Sequence, residues 1–156
     1  MSKVCVVGHV TSEFITVGGH RSGPTVGGTG FYSSFAYQKL GLDTTLVTKV
    51  ADNDRGNLLT KLEHAGVTIR CLRSPKTLQF ENIYPSSEPN LRVQNISGFA
   101  DPLTTDDLVD VFADVFHLGP LATGDIEPAL FAELATRGTV ALDGQGLLRL
   151  RRPGQV

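Results

Sequence analysis

At 156 residues with a net charge of −2, the chain is sized for one domain. Hydrophobic residues make up 40% and charged residues 19%, enough apolar content for a core and too little charge for disorder. The near-neutral balance leaves no footprint for nucleic acid, and no apolar run approaches the roughly 18 residues of a membrane span. Met1–Val7 is too short and too weakly basic to be read as a signal peptide. Cys5 and Cys71 form no C-x-x-C unit and sit in apolar runs, which fits free thiols in a reducing cytoplasm rather than a disulfide framework.

Lys3 to Val7 is β-branched, meets Gly8, and reads as a buried strand. Glu13 to Val17 reads as a second strand. From Gly18 to Gly30 six glycines and Pro24 rule out a helix interior, so a flexible hairpin or loop is expected, ending at a helix start. Tyr32, Phe35, Ala36 and Leu40 then fall on one helical face, closed by Gly41. Thr44 to Val50 reads as a strand, and Asp52-Asn53-Asp54 as a turn with capping chemistry. Leu58, Leu59, Leu62 and Ala65 form the next helical stripe, and Val67 to Leu72 the next strand.

Thr77 to Tyr84 and Leu91 to Ile96 alternate around a Pro- and Ser-rich turn and read as a paired hairpin. Leu108, Val109 and Phe112 suggest a short helix, Asp114 to Leu118 a strand, and Ile126, Ala129, Leu130 and Leu134 a helix with Pro128 in its first turn. Thr139 to Leu142 is the last strand. The alternation predicts an α/β domain with a mostly parallel, doubly wound sheet. With a strand so near the end and a basic tail from Arg149 to Val156, the sheet reads as incomplete at its C-terminus.

The run Val26-Gly27-Gly28-Thr29-Gly30 entering a helix is the most informative feature. Backbone N–H groups at a helix start can bind polar ligands, and glycine allows close approach. Gly28-x-Gly30-x-x-Ser33 also mimics a dinucleotide fingerprint, but no clean strand precedes it and no acidic residue follows on a second strand. Asp52 and Asp54 read as turn residues more than as a metal pair. His9, His20, His64 and His117 lack ligand spacing, Ser33-Ser34 lacks a nucleophile elbow, and no P-loop occurs. No metal site and no catalytic residue is assigned from the residues alone.

The order V-V-G-H-V-T-S-E-F, V-G-G-T-G-F-Y-S-S-F-A-Y-Q-K-L-G and T-L-V-T-K-V-A-D-N-D-R-G resembles the N-terminal half of the ribokinase-like (PfkB-type) carbohydrate kinases. F-H-L-G-P-L and A-L-D-G-Q-G-L-L-R are similar to a subgroup that includes inositol kinases. The resemblance implies that residues 1–156 are the N-terminal part of a ribokinase-like domain, with a small β-sheet lid from segments near 13–26 and 77–97. It implies sugar or polyol binding by the diglycine Gly27-Gly28. Glu13 and Tyr32 stand where the family usually has Asp and Asn, so the sugar itself does not carry over. Asn82, Arg92 and Gln145 are further polar candidates on the later strands.

The family's base lies in a G-A-G-D element that these residues lack. The resemblance therefore implies a truncated kinase domain. Its whole form would use ATP and Mg2+ to phosphorylate a hydroxyl, and this chain alone would be inactive. The competing expectation is a non-catalytic sugar-binding or dimerisation module, with a homodimer formed through the lid strands.

Overall fold

The structure, a computed structural model, describes residues 2–85 and 90–150. The middle of the Pro- and Ser-rich turn (86–89) and the basic tail (151–156) lie outside the described residues. A five-stranded parallel sheet forms from β1 (Lys3–Val7), β4 (Asp43–Val50), β5 (Thr68–Arg73), β8 (Val115–Leu118) and β9 (Thr139–Leu142), in the order β5-β4-β1-β8-β9. A second, four-stranded sheet holds β2 (Thr11–Val17), β3 (His20–Gly27), β6 (Gln79–Tyr84) and β7 (Val93–Gly98), in the order β3-β2-β6-β7.

The apolar run of β1 is buried on both faces, as a central parallel strand requires. Val4 and Val6 face one core with Leu46, Val50, Phe31, Leu58, Leu59 and Leu62. That layer is covered by α1 (Thr29–Lys39) and α2 (Arg55–His64). Cys5 and Val7 face the opposite core with Phe116, Leu118, Leu130 and Leu134, under α3 (Pro128–Ala135). The result is a doubly wound α/β sandwich, as the alternation predicts, with Pro128 at the start of α3. Leu78, Phe80, Ile96, Ala100 and Leu121 form a third cluster beneath the small sheet.

The hairpin expected of the glycine-rich stretch forms: Gly18-Gly19 makes the two-residue turn, both at positive φ, and His20–Gly27 pairs antiparallel with β2, with a register shift between Glu13 and Ile15. Two local expectations are corrected. Of the α1 face predicted from Tyr32, Phe35, Ala36 and Leu40, Phe35 packs against the core, whereas Tyr32, Ala36 and Leu40 point outward, with Tyr32 63% and Leu40 75% exposed. The sheet instead meets Gly30, Phe31 and Ser34. Small residues win here because the helix start lies against backbone: a Cβ on Gly30 would sit 2.5 Å from the Gly8 carbonyl oxygen. The expected stripe Leu108, Val109 and Phe112 also fails. A short 3-10 turn over Thr105–Leu108, closed by a reciprocal Thr104–Asp107 capping box, buries Leu108 and Val111 and leaves Phe112 80% exposed.

Asp107 does more than cap that turn. Lys49 Nζ lies 2.7 Å from its carboxylate, with the two side chains 11% and 9% exposed, and also donates to the Pro102 carbonyl. This nearly buried pair ties β4 to the segment entering β8.

Candidate acceptor-binding pocket

The strand order reverses at β1. The chain leaves β1 for β4 and β5 on one side and later returns to β8 and β9 on the other. Such a switch point opens a crevice beyond the carboxyl ends of the central strands, where ligands of open α/β sheets bind. Here the small sheet stands over that crevice. A cavity of about 320 Å³ opens between them, within the range usual for small-molecule sites of roughly 300–1,000 Å³.

Six of the seven residues singled out from the sequence as binding candidates line this one cavity: Glu13, Gly28, Tyr32, Asn82, Arg92 and Gln145. Gly27 does not line it, yet its place is constrained by the same site. It ends β3 opposite Thr11, and a Cβ there would overlap Glu13 Oε1. Gly28 has φ +88°, and its Cβ would lie 2.5 Å from the His9 carbonyl oxygen, so only glycine passes the chain from β3 into α1. The strand before this glycine run belongs to the small sheet, not to a parallel βαβ unit, which removes the structural context of a dinucleotide fingerprint.

Glu13 is the organised carboxylate. Thr11 Oγ1 donates to its Oε1 at 2.8 Å and Asn82 Nδ2 to its Oε2 at 3.2 Å. Gln94 Nε2 in turn donates to Asn82 Oδ1 at 2.8 Å. The chain Gln94–Asn82–Glu13 crosses β7, β6 and β2, and it orients the carboxylate while leaving lone pairs directed at the cavity.

The opposite wall comes from α1 and the end of β9. Thr29 Oγ1 donates to Asp143 Oδ2 at 3.4 Å, and Asp143 Oδ1 accepts from the Gln145 N–H at 3.0 Å. Arg149 also faces the cavity. Burial lowers its pKa, with the like charge of Arg92 adding and Asp143 and Glu13 opposing; a guanidinium stays charged regardless.

Sequence reasoning missed Thr29, Ser33, Gln94, Asp143 and Arg149 among the lining residues. Two signals could have found some of them. Thr29 and Ser33 are one helical turn apart just past the diglycine, and Asp143 directly follows a parallel strand. Asp52 and Asp54 stay apart from the pocket. Asp52 pairs with Arg73 at 3.0 Å, and Asp54, expected to cap α2, instead accepts from Thr77 Oγ1 at 2.6 Å. Among the described residues no three His, Cys, Asp or Glu side chains gather as for a metal ion.

No protein-family model and no curated protein matches the chain. Solved structures do. A pyrophosphate-dependent kinase in the ribokinase family, solved as a sulfate complex, superposes with TM-score 0.90 at 28% identity over 98% of this chain and 54% of its own. A pyrophosphate-dependent kinase of the same family, complexed with a pyrophosphate analog and myo-inositol, gives 0.88 at 26% over 98% and 53%. Ribokinase from Thermotoga maritima gives 0.70 at 19% over 97% and 55%, a likeness of fold alone. The chain thus spans about half the length of each of these structures.

Proposed function

From a chain that carries the ribokinase-family fold over about half the length of its solved relatives, we propose that the protein transfers a phosphoryl group to a hydroxyl of a polyol or sugar. The residues described here supply the acceptor site. The observation that carries this reading is the cavity at the switch point, with one hydrogen-bonded carboxylate, amides on two strands and a backbone-only edge at Gly28. Polyols need many short directional hydrogen bonds from fixed donors and acceptors, and this lining provides both. Glu13 takes the role of an acceptor of ligand hydroxyl protons, with Asn82 and Arg92 as donors beside it. Tyr32 covers one side with its ring, and Gly27 keeps the space that Glu13 fills.

No phosphoryl donor is placed within these residues. The family resemblance implies ATP with Mg2+ as the donor, and the sequence carries no P-loop motif, so a nucleotide site would be of another kind. Pyrophosphate is the alternative donor, favoured by its use in two of the kinases with the highest structural similarity given above.

The two unpaired cysteines fit the reducing cytoplasm as the site of action. The free edges β3 and β7 would serve a homodimer made through the small sheet. A module that binds sugar or pairs with a second copy without catalysis is the competing reading.

The test has two arms. Calorimetric titration of the 156-residue protein with myo-inositol and a panel of hexoses and pentoses should show saturable binding by at least one polyol, abolished in E13A. Phosphotransfer by the source-cell protein, with ATP and pyrophosphate supplied separately, then reads the activity. Absence of any polyol binding would overturn the acceptor-site reading, and binding without transfer from either donor would favour the non-catalytic module.

A further inference from the structure

Behind the α1 wall of the cavity lies a polar chain that the acceptor site described above does not use. Ser33 lines the cavity, and its Oγ is 3.4 Å from His117 Nε2 on β8. On the other side of the imidazole, His117 Nδ1 is 2.9 Å from Tyr37 Oη, and the two rings meet edge to face at 5.6 Å. Ser33 and Tyr37 are one helical turn apart on α1, so both reach the same histidine. Among the described residues His117 is the one hydrogen-bond partner of each hydroxyl.

The direction of this chain follows from the chemistry of its members. Burial lowers the His117 pKa, with Asp143 the one charged group that opposes it, so near neutrality the ring is neutral and carries a single N–H. A phenol hydroxyl is a good donor and a poor acceptor. Tyr37 O–H therefore donates to Nδ1, which places the ring proton on Nε2, and Nε2–H donates to Ser33 Oγ. The serine proton is then left to point into the cavity.

We propose that Ser33 is a substrate-recognising donor whose sense is set by the His117–Tyr37 pair, with His117 and Tyr37 as positioning residues. This rests on the polyol reading above. Ser33 donates to a substrate oxygen on the face opposite Glu13, the carboxylate that accepts. A pocket with a fixed donor on one wall and a fixed acceptor on the other discriminates between epimers, because moving one hydroxyl leaves one of the two unpaired.

Two measurements on the 156-residue protein test it, one independent of any ligand. Nitrogen-15 NMR of the histidine side chains should show His117 as the Nε2–H tautomer, with Nδ1 unprotonated; the Nδ1–H tautomer would overturn the relay. In titrations with myo-inositol and its monodeoxy analogues, S33A should weaken binding of the parent by about 3- to 10-fold. It should leave unchanged the affinity for the one analogue that lacks the contacted hydroxyl.

H117L should lose as much as S33A with no further loss in the double variant. H117Q, whose amide can still donate to Ser33 and accept from Tyr37, should restore most of the affinity and controls for a leucine variant that fails to fold. Equal loss in H117Q and H117L, or additive losses with S33A, would overturn the positioning role. Failure of the wild type to bind any polyol would overturn the functional reading and with it the ligand role of Ser33, while the tautomer still decides the relay.

Discussion

Gly27→Ala perturbs the site more than the fold. The nearest atoms to the new Cβ would be side-chain atoms, the Glu13 carboxylate foremost, then Thr11 Oγ1 at 3.0 Å. Glu13 must swing away, breaking its bonds to Thr11 and Asn82. Each such bond is worth about 1 kcal/mol net, and the freed carboxylate regains water in an open cavity. Replacing glycine by alanine in a strand returns roughly 0.5–1 kcal/mol. The net loss is about 1 kcal/mol, a Tm shift of roughly 2–4 °C for a chain of this size.

Binding should suffer far more, since losing a charged hydrogen bond to ligand hydroxyls removes about 1.5–3 kcal/mol, roughly 10- to 150-fold in affinity. Thermal unfolding followed by circular dichroism, paired with titration of the polyol that the wild type binds, reads both numbers. A G27A protein that unfolds cooperatively near the wild-type Tm and binds the polyol equally well would refute the role given to Glu13. A drop beyond 10 °C would refute the claim that only a side chain stands in the way.

The remaining predictions concern stability and reactivity. Lys49→Met strands the Asp107 carboxylate in a nearly buried site and should lower stability by about 3 kcal/mol, whereas K49R should retain most of it; denaturant titration distinguishes them. The folded-state pKa of His117 is depressed, so the unfolded chain binds more protons just below the ordinary histidine value. Its contribution is therefore intact above about pH 6.5 and lost as pH falls toward the folded value, and this part of the acid sensitivity should vanish in H117Q. The Cys5 thiol is fully buried and pushed up to about 12 by that burial, so at pH 8 a thiol reagent should leave it unmodified in the native protein. Cys71, half-buried with its pKa raised chiefly by burial, should react slowly but first. Rapid labelling of both would contradict the packing of β1.

The parallel core could be read from sequence because its strands are apolar on both faces and its helices end at glycines such as Gly41 and Gly66. The face of α1 could not. Periodicity counts apolar side chains, and this helix docks through Gly30 and Ser34 as well as Phe31, because the close approach to the Gly8 backbone admits only small residues beside it. The β3 strand was readable only as one arm of a hairpin or loop, since its glycines and Pro24 weaken the strand pattern; they are tolerated because β3 is an edge strand with one pairing partner.

Of the pocket, residues with a motif around them (Glu13 and the diglycine) were legible. Asp143 and Ser33 had only weak local signals, and Arg149 had none, because their relevance depends on which strand lies beside β1. The pairing of β2 with β6, which brings Asn82 to Glu13, leaves no local trace at all.

That pairing has a kinetic consequence. β2 and β6 run parallel, with Ser12 opposite Gln79, and the chain between them includes β3, α1, β4, α2 and β5. A parallel contact over so long a connection repays its loop-closure entropy only once the intervening units have docked. The Glu13–Asn82 bond should accordingly be among the last native contacts to form and the first to open. If both residues hold the ligand as proposed, ligand binding then reports completion of folding rather than its early stages. Hydrogen exchange should find the β2 and β6 amides opening at lower free energy than those of β1 and β4.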